Sequence, residues 1–374
     1  MEMTSASNNQ LRKISQKLSG NHRFIRVLRQ KVFAPHKKTL IYCNANFANP
    51  YQVLMYGFIQ GMNISPVSLE RINVYQKALV GDVLHIHWDE FFFRWNDSNK
   101  AAAARDCVLK FKSGGGKIVW TVHNEAPHEI ESEQQANEFE TNRRFICEQA
   151  DLIHVHSDYA KQHIAEKYPG TADKLVVIPH PSYLGWYHHQ PSPHYNKKKA
   201  FLLFGNMRRY KGFETIVDAF NRVAHPERIA CLALAGNGAN EVSAEFSNGI
   251  ALVRNGGYVD DDMVPDLFVS ADFAVFGFSR ILTSGSLMLA MTFSTPPIAP
   301  AHDSIKDSLP AELHDLLYVP GDIDDFASVI DYASAMSESQ YAEKCRVTRE
   351  YALKLAPENI SRMFERALID HKLV

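Results

Sequence analysis

The stretch VWTVHNEAPHE, residues 119–129, places two histidines and two glutamates directly after a run of apolar residues. Imidazole and carboxylate side chains transfer protons and also ligate metal ions, so their types alone allow either chemistry. His123 stands at the end of a predicted strand, and Asn124, His128 and Glu129 follow it on a predicted loop. We interpret this loop as part of an active site, with the two histidines and Glu129 as candidate general bases and Asn124 as a contact for an acceptor.

A fourth candidate base follows another predicted strand. Glu90 lies two residues past DVLHIHW, near a tryptophan and three phenylalanines, and such surroundings favour a raised carboxylate pKa. A structural role for Glu90, pairing with Arg94, is the alternative. Glu90 and His123 rank level as the base, and Glu129 ranks behind them because it also suits the start of the next helix.

Two HxH pairs have the spacing of a metal site. HIH at residues 85–87 and HVH at 154–156 each put two histidines on one face of a predicted strand. Strands of a parallel sheet are buried on both faces, so core histidines with hydrogen-bond partners are the more common explanation. We therefore expect no metal, and a metal-dependent hydrolase stays open as an alternative.

The stretch FGNMRRYKGFE, residues 204–214, has the order strand, glycine, cations, helix. Gly205 allows a tight turn, and Arg208 and Lys211 come just before a helix start, where the helix dipole adds to their positive charge. This order predicts a site for a diphosphate group. A solvated basic turn is the structural alternative.

Two further loops supply polar groups. Ser284, Gly285 and Ser286 offer hydroxyls and backbone N–H groups at another helix start, which suits an anion or a sugar, although Ser284 also suits a simple helix cap. After the first predicted strand, Asn49 and Tyr51 could line a sugar site, with the acceptor as the favoured ligand. The proline between them suits a first helical turn equally well.

Composition limits the class of protein. The chain has 374 residues, of which 45% are hydrophobic and 22% charged, with a net charge of −2. These values are typical of a globular protein of two domains and give no case for nucleic-acid binding. No apolar run has the length of a membrane span, no signal-peptide core is present, and five scattered cysteines predict a reduced, cytoplasmic protein.

The first 38 residues form a basic arm. No Asp or Glu occurs between Glu2 and Glu70, whereas residues 12–38 contain nine lysines and arginines. Each basic residue near an anionic membrane contributes about 1 kcal/mol of attraction. The arm predicts a peripheral protein at the inner face of the cell membrane, and a solvated arm without a membrane role is the alternative.

Short apolar runs alternate with helical patterns along the chain, which predicts βαβ units, mostly parallel sheets and an α/β fold. The alternation stops at residues 181–199, which are rich in Pro, His and Tyr, and then restarts. The sequence therefore predicts domains over residues 1–183 and 184–354, followed by a C-terminal segment over 355–374, and a last helix that spans about 340–370. Ligands bind such sheets at the carboxyl ends of the strands, where the polar clusters lie.

Five stretches carry a resemblance to a known family: NPYQVLMY, DVLHIHWDEFFFR, VWTVHNEAPHE, FGNMRRYKGFE and SGSLMLAMTFSTPPIAP. With them the sequence resembles GT-B glycosyltransferases, and more narrowly the bacterial exopolysaccharide group that includes the β-mannosyltransferase of xanthan assembly. The resemblance implies two Rossmann-like domains facing each other across a cleft, with the acceptor in the N-terminal domain and the nucleotide sugar in the C-terminal one. It also implies that the last helix crosses back to the N-terminal domain.

The same resemblance implies roles for single residues. Arg208 and Lys211 would bind the donor diphosphate in place of a metal, and Asn237 and Tyr258 would lie near the nucleobase. Many retaining GT-B enzymes carry two glutamates where this sequence has Ile281 and Leu289, so the serine turn must supply some of those contacts.

We therefore predict an inverting, metal-independent hexosyltransferase that moves mannose from GDP-mannose, favoured over UDP-sugars, onto a lipid-linked oligosaccharide in exopolysaccharide synthesis. A UDP-sugar-dependent retaining glycosyltransferase and a catalytically silent sugar-nucleotide-binding protein are the further alternatives.

Overall fold

A computed structural model describes residues 38–43, 49–68, 82–94, 96–127, 130, 132–187, 195–244 and 246–374. The chain divides into two compact units: unit 1 runs to Pro181 and resumes over Pro357–Val374, and unit 2 comprises Ser182–Ala356. Over the residues described, each unit contains a six-stranded parallel sheet with helices, which confirms the predicted α/β class. The basic arm lies outside the described residues except for Lys38.

The strands of unit 1 are β1 Thr39–Cys43, β2 Asn63–Val67, β3 Val83–His87, β4 Lys117–Thr121, β5 Leu152–Val155 and β6 Leu175–Val177. Its helices are α1 Tyr51–Tyr56, α2 Asp89–Phe92, α3 Ser98–Ser113, α4 Glu133–Gln149, α5 Asp158–Lys167 and, after unit 2, α12 Pro357–Asp370. The strand order is β2-β1-β3-β4-β5-β6, so the direction of winding reverses between β1 and β3. Open parallel sheets bind ligands at the carboxyl ends of the strands beside such a reversal.

The two long helices of unit 1 begin where short polar side chains cap them. The Asp97 carboxylate accepts a hydrogen bond from the Lys100 N–H at 3.1 Å and starts α3, and Gly114 follows as the C-terminal cap. The Ser132 hydroxyl accepts one from the Gln135 N–H at 3.2 Å and starts α4. Both helices are therefore predictable from sequence, since caps satisfy backbone N–H groups that the helix itself cannot.

The strands of unit 2 are β7 Lys199–Phe204, β8 Ile229–Gly236, β9 Ala251–Gly256, β10 Phe273–Val275, β11 Pro297–Pro300 and β12 Leu317–Tyr318. Its helices are α6 Phe213–Arg222, α7 Val264–Val269, α8 Gly285–Thr292, α9 Asp303–Asp307, α10 Ile323–Ser334 and α11 Glu338–Lys354. The order β12-β11-β10-β7-β8-β9 is that of a Rossmann sheet, with its reversal between β7 and β10.

The predicted single helix over 340–370 is wrong, because it is two helices. α11 ends at Lys354 in unit 2, and α12 begins at Pro357 in unit 1. Proline has no N–H for a helix interior and is well suited to a first helical position, so Pro357 ends one helix and opens the next. Within unit 1, α12 packs on α1, where the Ser361 hydroxyl donates to the Met55 carbonyl at 2.8 Å.

Among the described residues, no helix is both long enough and apolar enough to cross a membrane.

Candidate active site

Glu90 lies in the first turn of α2, directly after β3 and beside the reversal of the unit 1 sheet. Its side chain is only 6% exposed. Burial, assisted by the neighbouring carboxylate of Asp89, raises the pKa of Glu90 to about 7. The Asn124 amide donates a hydrogen bond to Glu90 Oε1 at 2.9 Å, so the partner of Glu90 is Asn124. Two of the predicted site residues, from different loops, therefore meet.

A buried arginine fixes both of these loops. Arg143, on α4, donates through Nε to Asp89 at 2.7 Å and through Nη2 to the same carboxylate at 3.2 Å. It also donates to the backbone carbonyls of Asn124 at 2.6 Å and Glu125 at 3.2 Å. Arg143 and Asp89 are both fully buried, so each charge depends on the other. Their pairing holds α2 and the loop after β4 in one arrangement.

Trp88 carries strain at the same place. Its backbone φ of 43° lies in the left-handed region, which is uncommon for a residue with a bulky side chain. The strained turn puts the indole ring against the His123 ring, with centroids 4.5 Å apart and planes 14° apart. Strained residues of this kind are concentrated at functional sites, where the surrounding structure holds them in place.

His123, after β4, belongs to a group of rings around Tyr51. The Tyr51 ring lies 4.8 Å from the His123 ring and 4.9 Å from the His180 ring, centroid to centroid. Its hydroxyl is 3.3 Å from His156 Nε2. Asn49 accepts a hydrogen bond from the Tyr51 N–H at 3.0 Å through its side-chain oxygen, so this predicted contact also shapes the start of α1. Burial lowers the pKa values of His123, His156 and His180, and neighbouring histidines lower those of His123 and His156 further.

The HxH histidines form hydrogen bonds within the protein. His85 and His87 both contact the Tyr56 hydroxyl, His85 through Nδ1 at 2.7 Å. His154 and His156 both contact the Ile178 carbonyl, at 2.7 and 3.1 Å. In the part of the chain that the structure describes, no group of three or more His, Cys, Asp or Glu residues is placed to hold a metal ion. The four HxH histidines are therefore buried core residues with hydrogen-bond partners inside the protein.

In unit 2, Lys211 lies under the turn that follows β7. Its ammonium group donates to the Phe204 carbonyl at 3.0 Å and is almost wholly buried. Burial, with the positive charge of Arg208 nearby, lowers the pKa of Lys211 to about 8. The positive charge of Arg208 is therefore near enough to disfavour the charged form of Lys211.

Two close approaches explain the glycines around these cations. A Cβ on Gly205, whose φ is +105°, would lie 2.6 Å from Lys211 Nζ. A Cβ on Gly212, at the start of α6, would lie 1.9 Å from the Gly277 carbonyl oxygen, after β10. The positive φ favours glycine at both positions, and at Gly212 the close approach to Gly277 brings the backbones of the β7 and β10 loops into contact at the sheet reversal.

The remaining donor-site candidates lie at other carboxyl ends of the unit 2 sheet. The Ser284 hydroxyl accepts from the Leu287 N–H at 3.2 Å and caps α8, and it lies 3.2 Å from the Ser286 hydroxyl, with Gly285 between them. Asn237 follows β8 and donates from its amide to Asn206 at 3.0 Å. Tyr258 follows β9 and is 63% exposed.

The sequence predictions also have gaps at this site. His128 and Glu129 lie outside the described residues. Sequence reasoning did not assign a function to Arg143, Tyr56 or Thr121, which the structure places in the site or directly behind it. The charge of Arg143 on the buried face of α4 is the one signal that could have indicated its role, because an unpaired charge is rarely buried.

Comparison with known proteins agrees with this arrangement. Residues 198–334 match the sequence model of the family "Glycosyl transferases group 1". The chain carries a group 1 glycosyltransferase domain. It is 25% identical over 276 residues to a GDP-mannose:glycolipid 4-beta-D-mannosyltransferase of Xanthomonas campestris pv. campestris, covering 70% of this chain and 72% of the relative.

Solved structures show the same fold. HepE from Anabaena, in a complex with UDP, has a TM-score of 0.65 at 12% identity and covers 89% of this chain and 100% of its own. TarM of S. aureus has a TM-score of 0.60 at 13% identity, and the match covers 80% of this chain but 58% of that longer one. This likeness confirms the predicted GT-B fold, and the family match, together with the Xanthomonas relative, confirms the prediction of a glycosyltransferase.

Proposed function

We propose that this glycosyltransferase moves mannose from GDP-mannose to a lipid-linked saccharide in exopolysaccharide synthesis, with inversion at the anomeric carbon and without a metal. The similarity to the Xanthomonas mannosyltransferase supports the donor and the class of acceptor. The observation that carries the mechanism is Glu90, a buried carboxylate whose pKa is raised to about 7 at the carboxyl end of β3.

Glu90 acts as the general base in this proposal. The acceptor hydroxyl attacks the anomeric carbon, its O–H bond breaks, and the carboxylate takes the proton while the bond from the sugar to the diphosphate breaks. A base is most effective when its pKa is near the working pH, and the pKa of Glu90 meets that condition. The Asn124 amide orients the carboxylate at 2.9 Å, and Arg143 holds the backbone of Asn124.

His123 positions the sugar in this proposal. Burial and the neighbouring His87 hold the pKa of His123 well below its usual range, so the ring stays neutral and is a weaker base than Glu90. A neutral imidazole contributes one hydrogen-bond acceptor and one donor. The Trp88 ring stacks on the His123 ring and fixes its plane, and the Tyr51 ring makes an edge contact with the same imidazole.

Arg208 and Lys211 stabilise the leaving diphosphate, which gains negative charge as the sugar departs. Preorganised cations in a buried position stabilise developing charge strongly because they need not reorient. Lys211 already fits this role, with its ammonium group held by the Phe204 carbonyl beneath Gly205. The serine turn at Ser284–Ser286 contributes hydroxyls toward the same ligand.

A UDP-sugar is the second candidate donor. HepE has been crystallised with UDP and with UDP-glucose, and it shares the fold of this chain at 11–12% identity. Ile281 and Leu289 distinguish the present chain from many retaining enzymes of that fold, which favours inversion.

The proposal also places the enzyme in the cytoplasm at the inner face of the cell membrane, where a lipid-linked acceptor is accessible. The basic arm over residues 1–38 would bind the anionic lipid surface.

A calorimetric titration of the full-length protein with GDP and with UDP tests the donor. We expect GDP to bind at least tenfold more tightly. Equal affinity, or tighter binding of UDP, would contradict the GDP-mannose proposal and favour the second candidate.

A further inference from the structure

A continuous chain of hydrogen bonds runs behind the site, from the backbone of residue 178 to His123. It starts at the Ile178 carbonyl, 2.7 Å from His154 Nε2. Thr121 Oγ1 then lies 2.9 Å from His154 Nδ1 and 2.7 Å from His85 Nε2. Every group is fully buried or nearly so, which excludes water as a competing partner.

The second half of the chain passes through a tyrosine. The Tyr56 hydroxyl lies 2.7 Å from His85 Nδ1 and also contacts His87 Nε2. His87 Nδ1 in turn lies 2.9 Å from His123 Nε2. Five side chains thus stand between the Ile178 carbonyl and His123, in the order His154, Thr121, His85, Tyr56 and His87.

The Ile178 carbonyl is the anchor of the chain, and it determines the direction of each hydrogen bond. A carbonyl oxygen only accepts, so His154 carries its proton on Nε2, and its Nδ1 accepts from the Thr121 hydroxyl. Thr121 has then used its one hydrogen, so its oxygen accepts from His85 Nε2–H. The same reasoning passes along the chain: Tyr56 donates to His85 Nδ1, His87 Nε2–H donates to Tyr56, and His123 Nε2–H donates to His87 Nδ1.

This reasoning requires that the four histidines be neutral, since a charged imidazole donates from both nitrogens. Burial lowers the pKa of His154 to about 4 and holds the pKa values of His85, His87 and His123 well below the ordinary range, with neighbouring histidines adding to the shift. All four are therefore neutral near pH 7.

We propose that this chain acts as a positioning device that fixes His123 in the Nε2–H tautomer, so that His123 presents an Nδ1 lone pair, a hydrogen-bond acceptor, to the substrate. The inference rests on the proposed function in one respect, which is that His123 contacts a sugar. An acceptor at this position selects a substrate group that donates, such as a sugar hydroxyl. A group that only accepts, such as a fluorine in place of that hydroxyl, would find no partner.

The anchor also sets how strongly the tautomer is fixed. Reversal of every bond in the chain would leave a His154 lone pair against the Ile178 carbonyl and lose one buried hydrogen bond. That loss corresponds to a preference of roughly 5- to 150-fold for the observed direction. Thr121→Val removes the hydroxyl that links His85 to His154 and so to the Ile178 carbonyl. The hydrogen bonds that remain between His85 and His123 can then form in either direction without the loss of one. The preference should then disappear.

Nuclear magnetic resonance of the full-length protein with 15N-labelled histidine tests the proposal. His123 is assigned by the signal lost in His123→Gln, and the ring nitrogen that carries the proton identifies the tautomer. We expect one tautomer, Nε2–H, in the wild type and in Thr121→Ser, which keeps the hydroxyl. We expect a mixture with a substantial Nδ1–H fraction in Thr121→Val.

Tyr56→Phe interrupts the chain at a second point and should give the same mixture, which guards against a folding failure of one variant. Thr348→Val is the matched control, because it removes another buried threonine hydroxyl, which donates to the Lys344 carbonyl at 2.7 Å in unit 2. An Nδ1–H or mixed His123 in the wild type would overturn the proposal, as would one unchanged tautomer in both Thr121→Val and Tyr56→Phe. The measurement needs neither donor nor acceptor, so it stands or fails separately from the proposed reaction.

Discussion

Replacement of Glu90 by Gln tests the general base directly, because the change removes the charge and keeps the shape. The new side-chain oxygen can still accept the hydrogen bond that the Asn124 amide gives Glu90 at 2.9 Å. General-base catalysis contributes roughly 100- to 10,000-fold, so kcat should fall by that factor. The KM for the donor should change little, since the base acts in the transition state.

The pH dependence adds a second test of the same residue. The pKa of Glu90 is raised to about 7, so the rate of the wild type should fall about tenfold for each pH unit below 7. Glu90→Gln should lack this acidic limb. Glu133→Gln, an exposed substitution in the first turn of α4, is the matched control and should keep both the rate and the limb.

The stability of the wild type should fall as the pH rises, whereas its rate should increase. A carboxyl group whose pKa is higher in the folded state binds its proton more tightly there, so the free energy of unfolding falls as the pH rises from about 4.5 to about 7. The full shift corresponds to about 3 kcal/mol. Urea denaturation should therefore show that Glu90→Gln becomes more stable relative to the wild type as the pH is raised from 5 to 8.

If Glu90→Gln keeps a near-normal kcat and an intact acidic limb, the assignment of Glu90 as the base is refuted.

Further predictions concern the donor site, the buried ion pair, the metal and the membrane. Lys211→Ala and Arg208→Ala should each weaken GDP binding by roughly 10- to 100-fold in calorimetry. Their thermal midpoints should stay near that of the control Arg228→Ala. Unchanged GDP affinity in both variants would exclude the diphosphate site. Arg143→Met should cost about 3–5 kcal/mol in chemical denaturation because it leaves Asp89 buried and unpaired, and a cost below about 1 kcal/mol would show that the pair is not needed. A chelator should leave the transfer rate unchanged, and a loss that Mg²⁺ or Mn²⁺ restores would show a metal requirement. Binding to anionic vesicles should fall steeply with added salt and should be lost on deletion of residues 1–38; salt-independent binding, or none, would remove the membrane role.

Local patterns were sufficient to predict most strands of both sheets. β3, β4 and β8 are rich in apolar residues and are followed by polar loops, a pattern typical of strands in a parallel sheet. Two strands lacked this signal. β2 contains Pro66, which a sheet tolerates at its edge, and β12 has two residues, too few for any periodicity.

The arrangement of the turn after β7 was predictable because its residues are neighbours in sequence. Gly205, Arg208 and Lys211 lie within seven positions, and the strand and helix around them fix their arrangement. The meeting of Glu90 and Asn124 was predictable only in part, since the two residues follow strands whose adjacency the alternation implies. The assignment of partners was not predictable: Arg143 and Asp89 are separated by 54 positions, and no local rule relates a charge on a helix to a carboxylate after a distant strand.

The same limit applies to the histidines. Their positions on β3 and β5 indicated one face each, and the structure confirms this for His85 and His87, which share the Tyr56 hydroxyl. Tyr56 itself lies on α1, where nothing in its neighbourhood indicates a role. A hydrogen-bond chain across three strands and a helix depends on tertiary packing, and single-sequence patterns do not contain it.

The anomeric configuration of the product tests the central claim most directly. The full-length enzyme is incubated with GDP-α-mannose and a glycolipid acceptor, and the new linkage is examined by the one-bond carbon–proton coupling at its anomeric carbon. An inverting mannosyltransferase with Glu90 as its base predicts a β-mannoside, formed with release of GDP. An α-mannoside would contradict this account, because retention requires no base at that position.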